Sequence, residues 1–210
     1  MWSNRLKKIV LSKILPKNQF ICQEDVNIID EIKELKDINM HLMNGKKEKD
    51  GTILSIDFNN AFRSVSLKWL NIVMEKFGIP MEFIDWFKRM YKNLGIIIVI
   101  NKCKSERILI ERGLMEGHPA SMGGFVIAMV PLMKAMESVM EGIVVESKNH
   151  KIKMFADDLK GFIKSLDEIT AIEKIIENFE DFRGDITQRS SERKMSSITI
   201  WKAQRFQKLG

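Results

Sequence analysis

Met154-Phe155-Ala156-Asp157-Asp158-Leu159 sets two adjacent carboxylates between two apolar runs. Lys151 to Ala156 leads in, and Leu159 to Ile163 leads away. Runs of this kind around a turn signal predict a β-hairpin with both aspartates on its tight turn. Neighbouring carboxylates repel, so placing both on one turn is costly unless a cation joins them. Hard oxygen donors suit Mg²⁺, which is usually held by one or two carboxylates plus substrate phosphates. Aspartate is also a favoured turn residue, so a solvated turn stays open as a reading of this stretch alone.

A third acid lies upstream. Thr52 to Phe58 is a short apolar run with Asp57 near its end, and strands disfavour Asp. Ser66 is a fitting N-cap for a helix over Leu67–Phe77, which Gly78 and Pro80 close. A helix follows from about Met81 to Asn93. Ile96–Ile100 and Ile108–Glu111 flank Asn101-Lys102-Cys103-Lys104 and predict a second hairpin. Arg112 to Gly124 is glycine-rich and opens a long apolar helix over about Ser121–Met140. Glycine lets a backbone approach a ligand closely, and a helix N-terminus favours anions. Gly142–Glu146 reads as a strand, Asp167 to about Phe182 as a helix and Ile198–Trp201 as a last short strand. Asp25–Met43 has helical periodicity, and Trp2–Leu15 forms an amphipathic pattern with a basic face. Strands interrupted by helices, with antiparallel hairpins, indicate an α+β sheet packed on helices. If the Asp57 strand neighbours the Asp-Asp hairpin, the three carboxylates converge, as a two-metal phosphoryl-transfer site needs.

Composition sets the bounds. The chain has 210 residues, 45% hydrophobic and 30% charged, enough for one large domain or two small ones with a packed core. No apolar run near 18 residues is evident, so no membrane span is expected. Cys22 and Cys103 make neither a disulfide framework nor a zinc site, and a reducing, intracellular setting is the default. The net charge of +6 is compatible with a polyanionic partner.

Taken in order, the segments resemble the reverse transcriptase domain of non-LTR (LINE-like) retrotransposons. Asp57-Phe58-Asn59-Asn60-Ala61-Phe62-Arg63-Ser64-Val65 resembles motif A, usually Asp-Phe-x-x-Ala-Phe-Asp-x-Val. Glu116-Gly117-His118-Pro119-Ala120-Ser121 with Phe125 resembles motif B, usually Gln-Gly-x-Pro-Leu-Ser followed by Leu-Phe. Phe155-Ala156-Asp157-Asp158 resembles motif C. Phe77-Gly78-Ile79-Pro80, Trp86 and Tyr91 resemble the helical segment between A and B, with Trp86 and Tyr91 read as packing residues. Asn4-Arg5-Leu6, Gln19-Phe20-Ile21 and Phe206 with Leu209-Gly210 resemble flanking landmarks.

The resemblance implies an α+β fold with a polymerase palm-type antiparallel sheet packed on helices, part of the fingers, and no thumb. Residues 1–50 would be partial fingers and connecting helices, and 51–210 a palm with inserted fingers helices. It implies RNA-directed DNA synthesis on an RNA template from a DNA primer and dNTPs, with two Mg²⁺ ions or Mn²⁺ in their place. Asp57, Asp157 and Asp158 would be catalytic metal ligands. Phe58, Phe62, Gly117 and Ser121 would face the nucleotide, Phe62 as the steric gate against a ribose 2′-hydroxyl. It implies no membrane partner and a nuclear or ribonucleoprotein site of action. The chain departs from the pattern at Glu116 for Gln, Arg63 for Asp, and Ala120, Met122, Gly123 and Gly124 after motif B. Lys194 is the nearest match to a motif D lysine. The alternative function is a catalytically impaired nucleic-acid-binding remnant.

Overall fold

The computed structural model describes residues 14–15, 28–44, 51–58, 61–110, 112–165, 167–183 and 196–201. Residues 2–13 of the expected basic amphipathic pattern, the flanking landmarks and Lys194 lie outside the described residues.

In chain order the elements are α1 (Ile28–Asn44), β1 (Thr52–Phe58), α2 (Ala61–Ser64), α3 (Leu67–Lys76) and α4 (Met81–Tyr91). Four short strands follow: β2 (Gly95–Ile96), β3 (Val99–Ile100), β4 (Cys103–Lys104) and β5 (Ile108–Leu109). Then come α5 (Ser121–Val139), β6 (Ile143–Val145), β7 (Lys148–His150), β8 (Ile152–Phe155), β9 (Asp158–Ile163), α6 (Asp167–Arg183) and β10 (Ser196–Trp201). The result is a mixed helix and sheet fold with small antiparallel sheets.

The central sheet runs β10-β1-β9-β8, and every pairing is antiparallel. Alternation along β1 assigns its two faces. Leu54, Ile56 and Phe58 are buried in the main core with Leu159 and Ile163 of β9. Helices α3 to α6 contribute Leu70, Phe87, Phe125 and Ile172 to the same cluster. Ser66 caps α3 as expected, accepting from the Trp69 amide at 3.2 Å. The Trp69 indole N–H then donates to the Ala128 carbonyl at 3.1 Å, tying α3 to α5.

Helix α5 corrects one expectation. At 19 residues and mean hydropathy 1.4 it is long and apolar enough to cross a membrane by length and composition. Here it is the central core helix, with Phe125 to Val130 all buried. Gly123 and Gly124 look unfavourable for a helix start, yet a Cβ on Gly124 would sit 3.0 Å from Phe87 Cζ and 3.4 Å from Leu70 Cδ2. The missing side chain lets α3 and α4 approach α5.

The second face of the sheet is divided along its length. At one end Ile53 and Phe162 pack with Ile38, Ile143 and Val145 beneath α1. Beside them Glu34 of α1 collects three cations or donors. Its Oε1 lies 2.6 Å from Lys148 Nζ and 3.2 Å from His150 Nδ1, and Oε2 takes the buried Lys153 ammonium. Burial works to raise the Glu34 pKa, but the hydrogen bonds and charges of Lys148 and Lys153 outweigh it and hold it below the usual carboxylate value. Burial pushes His150 down, and Lys148 and Lys153 add to that against the pull of Glu34. Both groups therefore bind protons more weakly folded than unfolded. Their contribution to stability is complete above the ordinary histidine value of 6.5 and is lost as pH falls, first through His150 and then below 4.5 through Glu34. Urea midpoints should fall in two steps on acidification. In His150→Phe the upper step disappears; an unchanged profile would refute this account.

Candidate active site

β1 and the β8–β9 hairpin are neighbours, so the acids of both stretches belong to one end of one sheet. The last β1–β9 pair is Ile56↔Leu159. One further step of that register sets Asp57 opposite Asp158, on the same face. The hairpin closes at Phe155↔Asp158, leaving Ala156 and Asp157 as its two turn residues. The sequence places both aspartates on the turn, whereas in the structure Asp158 opens β9. The two-residue loop, the favoured hairpin closure, falls on Ala156-Asp157, so only one of the two aspartates lies in it. Ala156 has φ 55°, a left-handed value that costs an alanine about 1–2 kcal/mol. The turn accepts this strain at the residue just before Asp157.

Asp57 is exposed, Asp157 half-buried, and Asp158 exposed. Lys160 follows two residues on, on the Asp158 face. Its ammonium lies 2.5 Å from Asp158 Oδ1 and donates to Ser55 Oγ at 2.8 Å. Among the described residues no three His, Cys, Asp or Glu side chains gather closely enough to hold a metal ion. The donor set nonetheless suits a hard cation arriving with phosphates: carboxylate oxygens at one open sheet end, without nitrogen or sulfur. Asp158 meanwhile has an ammonium as its counter-charge.

The glycine-rich loop is built against α2. Gly113 N–H donates to Val65 O at 2.9 Å, and Leu114 N–H to Phe62 O at 2.8 Å. Gly113 has φ 91°, and a Cβ there would lie 2.9 Å from the Arg63 carbonyl oxygen. Gly113→Ala should therefore destabilise by about 1–3 kcal/mol, read as a lower urea midpoint. A midpoint equal to the unchanged chain would contradict that strain.

Three polar groups close a ring under the loop. The Met115 amide donates to Tyr91 Oη at 3.2 Å, and Ser121 Oγ donates to Met115 O at 2.6 Å. Tyr91 and Ser121 are 3.3 Å apart, and since the serine proton is engaged, Tyr91 is the donor between them. Ser121 is thus 2% exposed with its hydroxyl inside the fold. Phe58 is also buried. Phe62 is half-buried and stacks on Phe125, with centroids 4.8 Å apart and 19° between planes. Gly117 is exposed, with φ 79° and open space where a side chain would be. A side-chain hydrogen bond crosses from α2 to this loop: Arg63 Nε donates to Glu116 Oε1 at 2.9 Å. Glu116 raises the Arg63 pKa through that bond.

The family model described as "Reverse transcriptase (RNA-dependent DNA polymerase)" matches residues 1–210. The chain belongs to the reverse transcriptase family. It is 23% identical over 159 residues to the "Transposon TX1 uncharacterized 149 kDa protein" of Xenopus laevis, covering 75% of this chain and 12% of that protein. It is 25% identical over 144 residues to the "Retrovirus-related Pol polyprotein from type-2 retrotransposable element R2DM" of Drosophila melanogaster, covering 69% of this chain and 13% of that polyprotein. The reverse transcriptase domain thus aligns with only about an eighth of either relative, both of them proteins of mobile elements.

Three features of this reverse transcriptase domain escape sequence reasoning. Lys160 was within reach, because position i+2 of a strand shares the face of Asp158. Tyr91 reads as a packing residue, and its hydroxyl proves to hold the motif B loop. The Arg63–Glu116 contact spans 53 residues and leaves no local signal.

Proposed function

We propose that this reverse transcriptase domain performs RNA-templated DNA synthesis, transferring a nucleotide from a dNTP to a primer 3′-hydroxyl. The β1–β9 register carries the reading: continued one step past Ile56↔Leu159, it sets Asp57 opposite Asp158 beside the Asp157 turn. Asp57, Asp157 and Asp158 would hold two Mg²⁺, which when bound supply charge to the attacking and leaving oxygens. The chain's own part is alignment. β1 and the hairpin fix the carboxylates on rigid backbone. Phe62, backed by Phe125, offers an aromatic edge against a ribose 2′-hydroxyl. Gly117 keeps the loop surface clear for the nucleotide, while Phe58 lies buried in the core and the buried Ser121 holds the Met115 carbonyl of the loop from within. Residues 51–210 would make the palm with inserted fingers helices, residues 1–50 part of the fingers, and the site of action would be a nuclear or ribonucleoprotein complex.

A second reading, a nucleic-acid-binding remnant, is favoured by the Lys160 ammonium on Asp158. Primer extension on an RNA template with dNTPs and Mg²⁺ separates the two. The polymerase reading expects templated extension that stops with chelator. Salt-sensitive RNA binding with no extension would replace it by the remnant.

A further inference from the structure

Arg63 and Glu116 are the two positions where motifs A and B depart in charge from the family pattern, and they contact each other. Arg63 lies in α2, six residues after Asp57; Glu116 lies beside Gly117 on the open loop. Both side chains are well exposed, at 72% and 63%, so burial does not force the contact. The backbone bonds from Leu114 to Phe62 of α2 and from Gly113 to Val65 just after it anchor the root of the loop, and the Tyr91–Ser121–Met115 ring anchors it from below. Between Met115 and His118 the chain turns, with the His118 N–H donating to Met115 O at 3.3 Å, and Glu116 and Gly117 at the tip are both exposed. A lone carboxylate there would repel an approaching triphosphate. A guanidinium paired to it cancels that charge and ties the loop tip to the segment following Asp57.

We propose that Arg63 and Glu116 form a positioning pair that fixes the Met115–His118 loop against α2 and neutralises its face toward an incoming nucleoside triphosphate. The inference deepens the polymerase reading and rests on it for the identity of the anion. The pair acts through geometry and charge cancellation, so either polarity of the pair should serve.

The test compares the unchanged chain with Arg63→Ala, Glu116→Ala and the reversed pair Arg63→Glu/Glu116→Arg. Hydrogen exchange at the amides of residues 115–118 reads the positioning without requiring activity. Each single variant should exchange about two- to fivefold faster there, as suits loss of an exposed ion pair, while the α5 amides hold. The reversed pair should return to within about twofold. Singles with unchanged exchange, or a reversed pair no better than the singles, overturn the positioning. The second readout is extension at varied dNTP. Arg63→Ala should raise the KM for dNTP by about three- to tenfold with kcat little changed, because it removes binding shared by ground and transition states. A fall in kcat at constant KM overturns the nucleotide-facing role. Absence of extension from every protein, the unchanged chain included, refutes the polymerase reading and with it the triphosphate, while exchange still decides the pair.

Discussion

Asp157→Asn should lower primer extension by about a thousandfold and leave the urea midpoint within experimental scatter. The substitution keeps the shape of the side chain and removes its charge. On the two-metal reading, electrostatic stabilisation of the reacting oxygens is worth several kcal/mol, and each 1.4 kcal/mol is tenfold in rate. Stability should hold because Asp157 is a turn residue outside the core cluster. Asp57→Asn should behave alike, being an exposed residue at the same sheet end. An Asp157→Asn protein that extends primers at close to the unchanged rate would remove this residue from the chemistry. A large drop in midpoint would instead make its role structural.

The second large effect lies one layer deeper. Phe125→Ala should cost about 3–5 kcal/mol of stability, by loss of transfer free energy and by the cavity left behind. Phe125 is fully buried in the helix that forms the centre of the core. Against a typical total of about 5–15 kcal/mol, that loss would leave a marginal fold. Urea unfolding measures it directly, and a cost below about 1 kcal/mol would show that the core closes over the gap. Phe125→Leu keeps most of the volume and should fold. It removes the flat surface behind Phe62, so on the steric-gate reading it should admit ribonucleotides more readily. Unaltered discrimination in a folded Phe125→Leu protein would place the gate elsewhere.

Much of this was legible because it is local. The apolar run Thr52–Phe58 became a strand with the same bounds, and Ser66 became the cap of α3. The hairpin at Ala156-Asp157-Asp158 formed, displaced by one residue because strand closure depends on turn geometry that composition does not encode. The hairpin after Ile100 likewise turns on Asn101 and Lys102 alone, both at positive φ, so Cys103 and Lys104 are strand residues. What sequence did not reveal is long-range. Glu34 meets Lys153 across 119 residues, and nothing near either position announces the other. Lys194 and the N-terminal basic face fall outside the described residues and stay as sequence expectations.

The pairing of β1 with β9 has one more consequence. Side chains on a strand alternate between faces, so a slip of one residue exchanges every inward group for an outward one. Sliding β9 by one position would carry Asp158 and Lys160 into the layer now held by Leu159 and Gly161, and would lift Leu159 into water. The same frame that buries Leu54 and Ile56 therefore dictates where the acids stand. A variant cannot misalign its carboxylates by a strand shift and keep a sound core. The fold acts as a proofreader of the site: in this sheet, misregistered copies should be lost to unfolding rather than persist as well-folded proteins with a scrambled centre.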